Sequence, residues 1–148
     1  CVTFAGHRRI DCFTDVEKQL YQIIADIIRT KEYVEFYVGI EGDFDIMAAS
    51  CIRRAKQKVC DDNNSLNLVL PYSKAGMEFM EASFDSIIIP PELHGVHPKK
   101  AIALRNRWMV DRSDALITYV LGNKGGANDT MKYAIDMKKA VIKIKTTE

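Results

Sequence analysis

Six short runs rich in β-branched and aromatic residues alternate along this chain with five longer stretches whose apolar residues recur at helical spacing. The runs are Val2–Ala5, Glu35–Val38, Leu66–Leu70, Ser86–Ile89, Ala115–Val120 and Ala140–Ile144. Several, Ile87–Ile89 among them, are continuously apolar rather than alternating, which suits strands buried on both faces of a parallel sheet. Thr14–Thr30 sets Val16, Leu20, Ile23, Ile24, Ile27 and Ile28 on one helix face, with Thr14 as N-cap and Glu17 completing a capping-box pattern. Asp43–Val59 carries Ile46, Ala49, Ile52 and Val59 in one stripe. Lys74–Ala82 reads as a shorter helix, Pro98–Arg112 opens with proline in its first turn, and Asn128–Lys139 is the last helix.

Strands and helices in strict alternation predict an α/β domain of Rossmann-like type, with a doubly wound, mostly parallel sheet. Right-handed crossovers then put helices on both faces. The 148 residues favour one domain, spanning 1–148, which can bury a full core without a disulfide or structural metal. The loosest stretches are Cys60–Ser65, a solvated turn, and Pro90–Pro98, long enough to form a mobile flap.

A formal net charge of +1 gives no broad electrostatic case for DNA, RNA or acidic lipid, although a local basic cluster can still grip a phosphate. None of Cys1, Cys12, Cys51 and Cys60 lies in a CxxC pair, and the last two stand too far apart along one helix to bond. They read as free thiols of a reducing cytoplasm. His94 and His97 lie three residues apart with no third ligand at a fixed spacing, so neither a metal nor a cofactor is expected. No apolar run approaches the ~20 residues of a membrane span. The chain opens at Cys1 rather than Met, which points to a trimmed start.

Three loops that follow strands carry unusual residues, and ligands of open α/β sheets bind beyond the carboxyl ends of strands. After the first strand, Gly6 permits close backbone approach, and His7, Arg8 and Arg9 place donors at the mouth of the sheet. The plainer reading is a turn with two solvated arginines. After the second, Gly39 and Gly42 flank a turn before Asp43 and Asp45. Asp43 either caps the next helix or, like Asp45, meets a sugar hydroxyl. After the fifth, Gly125 and Gly126 open a helix whose N–H groups can face an anion, and Thr130 offers a hydroxyl. A flexible loop is the alternative there. Neither GxxxxGK[ST] nor GxGxxG is present, and there is no GxSxG elbow.

The segments TFAGHRR, GxxGDFDxxA, RNRWMVDRSDALITYV and GGANDTxKYA, in that order, resemble the SLOG superfamily of Rossmann-like domains. That group includes the Lonely Guy phosphoribohydrolases and the DNA-uptake protein DprA. The likeness spans nearly the whole chain and is nearest to small stand-alone members. It implies a nucleotide or nucleotide-sugar ligand held by the first loop and the GG loop, and a tendency to homodimers. Lonely Guy enzymes use an arginine upstream of an Ala-Asp-Ala-like strand, and Arg105, nine residues before Asp114, matches it by spacing. Their PGGxGTxxE glutamate has no counterpart: Tyr133 stands three residues after Thr130, and no proline precedes Gly125. A tyrosine does not stabilise an oxocarbenium-like sugar as a carboxylate does, so glycosidic cleavage would need Asp43, Asp45 or Asp111 instead.

Arg105 shares a helix face with Ile102 and Met109, which covers it in part; otherwise it and Arg107 are solvated charges. Trp108 reads as core before stacking platform, and Tyr72 fits either role. The expectation is a module that senses or sequesters a nucleotide-derived small molecule through Gly6, His7, Arg8, Gly39, Gly42, Asp43, Arg105, Gly125, Gly126 and Thr130. It is the kind of ligand found among signalling nucleotides of bacterial and phage conflict. A nucleotide hydrolase is the rival. A nucleic-acid partner is not expected at balanced charge, and DNA binding ranks third.

Overall fold

The computed structural model describes residues 1–59 and 62–145. The described residues form six strands: β1 (Val2–Gly6), β2 (Val34–Val38), β3 (Asn64–Val69), β4 (Ser86–Ile88), β5 (Ala115–Tyr119) and β6 (Ala140–Lys143). Its helices are α1 (Phe13–Thr30), α2 (Asp43–Val59), the four-residue α3 (Met77–Met80), α4 (Pro98–Arg112) and α5 (Gly126–Asp136), with 3₁₀ turns at Glu81–Ser83 and Pro91–Leu93. All strands are parallel, in the order β4-β3-β2-β1-β5-β6. The chain therefore moves outward from β1 to β4, then crosses back to lay β5 on the other side of β1. Strand order reverses between β1 and β5.

The two faces are unequal. Val34, Phe36 and Val38 of β2 turn inward while Glu35 and Tyr37 are only half-buried, and that alternation aims the larger core at one layer. There α1 contributes Val16, Leu20, Ile24 and Ile28, packed on Phe44, Met47, Ile52 and the small Ala48, Cys51 and Ala55 of α2. Each such large apolar side chain, fully buried, is worth about 1.5–3 kcal/mol. Small residues along α2 let α1 approach closely. On the other face α4 and α5 cover a smaller cluster of Ala5, Val110, Leu116 and Ala134.

Several local expectations are corrected. Cys12, not Thr14, caps α1, without a side-chain bond; Glu17 instead lies 3.6 Å from the Arg54 guanidinium. Ile46 is 60% exposed, because Phe44 and Met47 take the inward positions of α2. The Ile87–Ile89 run is half-buried, since β4 is an edge strand. The helix expected over Lys74–Ala82 shrinks to α3 and a 3₁₀ turn, and α5 begins at Gly126 and ends at Asp136. Pro90–Pro98 is pinned by buried Leu93 rather than hanging as a flap. Asn64 and Ser65 already belong to β3, and Cys60 lies outside the described residues.

Cys1, Cys12 and Cys51 are free thiols. Burial pushes the Cys51 thiol up to about 11, so it packs as a small apolar group. Among the described residues no helix is long and apolar enough to cross a membrane.

Candidate functional site

The loops after β1, β2 and β5 all leave the carboxyl edge of the sheet, and with α4 they wall a cleft of about 380 Å³ over the β1–β5 reversal. In open α/β sheets this is where ligands bind.

The first wall is built by close packing. A Cβ on Gly6 would enter the buried ring of Phe44, so only glycine lets β1 end against α2. Gly42 is bare for the same reason, its Cβ position lying 2.9 Å from the Arg8 Cβ. Asp43 joins the two loops: its N–H donates to the Arg8 carbonyl at 2.8 Å and its carboxylate accepts from the Ile10 N–H at 3.0 Å. That carboxylate is spent on the loop and stands outside the lining. His7 lines the cleft while its Nε2 accepts the Leu121 N–H at 2.6 Å and its ring meets the edge of Tyr119. It thereby fastens the β1 loop to the β5 loop. Arg8 is exposed at the mouth, whereas Arg9, 91% exposed beside Asp11, points elsewhere.

The floor is a charge cluster. Arg105 is 2% exposed, and its three nitrogens are all committed: to the Glu41 carboxylate at 2.9 Å, the Val69 carbonyl at 3.0 Å and Asn106 Oδ1 at 3.0 Å. Glu41 also takes Lys74 Nζ at 3.2 Å and the Ile40 N–H at 3.1 Å. Burial alone would raise the Glu41 carboxyl, but Arg105, Lys74 and the Ile40 N–H together hold it below the usual carboxylate range. Asp45, which accepts the Glu41 N–H at 3.3 Å, goes the other way. Burial outweighs the pull of Arg105, and with the neighbouring Glu41 charge it pushes Asp45 up to about 6. Gly39 does not line the cleft but lies under this cluster; a Cβ there would stand 2.7–2.9 Å from Glu41, Arg105 and Asp45.

The third wall is the start of α5. Gly125 has φ 104°, a backbone that favours glycine, and nothing lies within 4 Å of a Cβ built on Gly125 or Gly126. The first N–H groups of α5 thus open onto the cleft without side chains in the way. Thr130 lines it too, with its hydroxyl donating to the Gly126 carbonyl at 2.9 Å. Asn128 is buried, and its Nδ2 has no protein partner.

Of the expected site residues, Gly6, His7, Arg8, Gly42, Arg105, Gly125, Gly126 and Thr130 meet around the cleft. Of the three carboxylates weighed as substitutes for the absent glutamate, only Asp45 reaches it. Asp111 is exposed and accepts the Tyr133 hydroxyl at 2.6 Å. Glu41 and Asn106 line the cleft and had been given no role. An acid between two glycines after a strand was a visible signal; the partners of Asn106 were not. Trp108 packs on Tyr37 with Arg112 over its ring, away from the cleft, and Tyr72 is 36% exposed. His97 caps α4, its Nδ1 accepting the Lys99 N–H. Among the described residues no cluster of His, Cys, Asp or Glu could hold a metal.

No protein-family model matches the sequence, and no curated protein matches it. Solved structures do share the fold. The DNA processing protein A (DprA) of Streptococcus pneumoniae superposes with a TM-score of 0.70 at 14% identity, over 99% of this chain and 50% of that one. The DprA of Helicobacter pylori, solved to examine its single-stranded DNA binding mode, gives 0.66 at 14% identity, over 99% and 65%. The Moco carrier protein of Chlamydomonas rheinhardtii gives 0.57 at 15% identity, over 96% and 73%. This chain spans half to two-thirds of the length of the two DprA chains. These likenesses show a shared fold, a parallel Rossmann-like α/β sheet.

Proposed function

We propose that this protein binds a nucleotide-derived small molecule in the cleft and senses or sequesters it without turnover. The observation that carries the reading is the meeting of three glycine loops at the β1–β5 reversal. The parts of the cleft suit the parts of a nucleotide. The open N–H groups of α5 and exposed Arg8 suit a phosphate. Glu41 and Asp45 accept hydroxyl or amino protons, as a ribose or base would offer them. Arg105, already neutralised, braces the floor and can still present an edge to the ligand. The free thiols fit a cytoplasmic setting, and exposed Ile135 and Met137 at the end of α5 would permit a homodimer.

Asp45 favours a second reading. A half-buried carboxyl raised to about 6 beside an ionised glutamate is arranged as a general acid or base would be, and it supports a nucleotide hydrolase. Single-stranded DNA enters the panel because of the Helicobacter neighbour, whose likeness lends no support to excluding nucleic acid.

The test is incubation of the purified protein with a panel of nucleotides, nucleotide sugars and oligonucleotides, followed by heat denaturation and chromatography. Intact small ligand released by heat supports binding. Base plus ribose phosphate assigns a hydrolase, and retention of oligonucleotides alone assigns DNA.

A further inference from the structure

The cleft does not end at α5. A groove of about 460 Å³ continues from it between α4 and α5, and Arg8, Ile102, Asn106, Gly126 and Thr130 wall both. Past this junction the chemistry changes. The first cleft balances its cations against Glu41 and Asp45, whereas the groove sets Lys99, Arg107 and Lys132 against Asp129 and Asp136, with Arg8 at its entrance. Among the described residues none of Lys99, Arg107 and Lys132 sits in an ion pair. Arg107 lies over the ring of Tyr133, 5.2 Å from its centroid, so a flat cation–aromatic surface lines the groove. The Tyr133 hydroxyl is turned away, donating to Asp111.

We infer that the ligand has two nucleotide halves, one in the cleft and the second along the α4–α5 groove, with bridging phosphate at the junction between Arg8 and the start of α5. This rests on the reading that the cleft holds a nucleotide. Each space alone is of the size that takes a small ligand, and a mononucleotide leaves the second one empty. Unpaired cations beside an aromatic face suit a second phosphate and base. Two carboxylates in the groove and a net chain charge of +1 argue for a dinucleotide over a long strand, which needs a continuing basic track.

The probes are the four ribonucleoside 5′-monophosphates, their 5′-phosphorylated homodinucleotides and the matching homotetranucleotides, titrated calorimetrically into the wild type and an Arg107→Ser/Lys132→Ser variant. Both positions are exposed, so the fold should persist; circular dichroism checks it. At least one dinucleotide should bind about ten- to hundred-fold more tightly than its mononucleotide, the gain of one or two charge-assisted hydrogen bonds. The double variant should lose that gain and keep mononucleotide affinity. Equal affinity for both lengths, or a gain the variant retains, overturns the inference while mononucleotide binding preserves the function above. A second gain from two to four nucleotides replaces it with single-stranded nucleic acid. Failure of every probe to bind removes the nucleotide reading and the inference with it.

Discussion

Replacing Asp45 by asparagine should stabilise the protein near neutral pH and leave it unchanged in acid. In the folded chain burial raises this carboxyl from 3.8 to about 6. Between those values the folded state keeps a proton that the unfolded state has released. The contribution of Asp45 to stability is therefore complete below pH 3.8 and is lost as pH rises through about 6. That span, at ~1.36 kcal/mol per pKa unit, makes the ionised residue a cost of ~3 kcal/mol at neutral pH. Asparagine has the shape of the protonated acid and keeps an acceptor for the Glu41 N–H. Urea unfolding at about pH 8 should show the variant ahead by ~2–3 kcal/mol, through a higher midpoint at equal slope, with the gap closing near pH 4. Carboxylates remote from Asp45 titrate alike in both proteins and drop out of the difference, while Glu41, whose charge helps raise Asp45, is coupled to it and enters the same gap. A gap of equal size at both pH values, or a variant less stable at pH 8, would refute the reasoning and leave Asp45 an ordinary acid.

Gly126→Asp should leave the fold intact, because nothing lies within 4 Å of the added Cβ, and should abolish binding of an anionic ligand; an unchanged melting curve with unchanged affinity would clear the start of α5 of that role. Arg105→Ala should cost about 3–5 kcal/mol in chemical denaturation by leaving Glu41, 11% exposed, without its guanidinium, and lysine should restore only part. If Arg105 also meets the ligand, binding to the folded fraction should weaken by a further ~1.5–3 kcal/mol. Gly6→Ala should destabilise by about 1–3 kcal/mol, since Phe44 is fully buried and cannot give way; a neutral effect by thermal melting would mean that β1 and α2 can separate.

The strand–helix alternation and the three glycine loops were legible because both depend on local spacing. What escaped were pairings. Ile46 and Phe44 are equally apolar, and only the packed α2 decides which faces inward. Asp43 and Asp45 are two residues apart, yet one stitches a loop and the other reaches the cleft. Arg105 lines the cleft beside its helix neighbour Asn106, but its other partners come from the loop after β2 (Glu41) and from β3 (Val69), and no spacing in the sequence announces them. The edge position of β4 was hidden likewise: Ile87–Ile89 reads as doubly buried until strand order is known.

The adjacency of β1 and β5 has a bearing on the life of the molecule. Gly6 stands opposite Tyr119 in the sheet, and the Thr118 hydroxyl donates to the Ala5 carbonyl, 113 residues back along the chain. Half of the cleft is therefore absent until the segment that carries α4, β5 and the start of α5 has been made and has docked. A ligand held there would bind only molecules that have closed this 113-residue loop, and would add to their stability in proportion to the logarithm of its free concentration. Molecules without it would open more often and be the ones that proteases reach. The supply of ligand would then govern how long each copy persists, as well as how many copies are occupied.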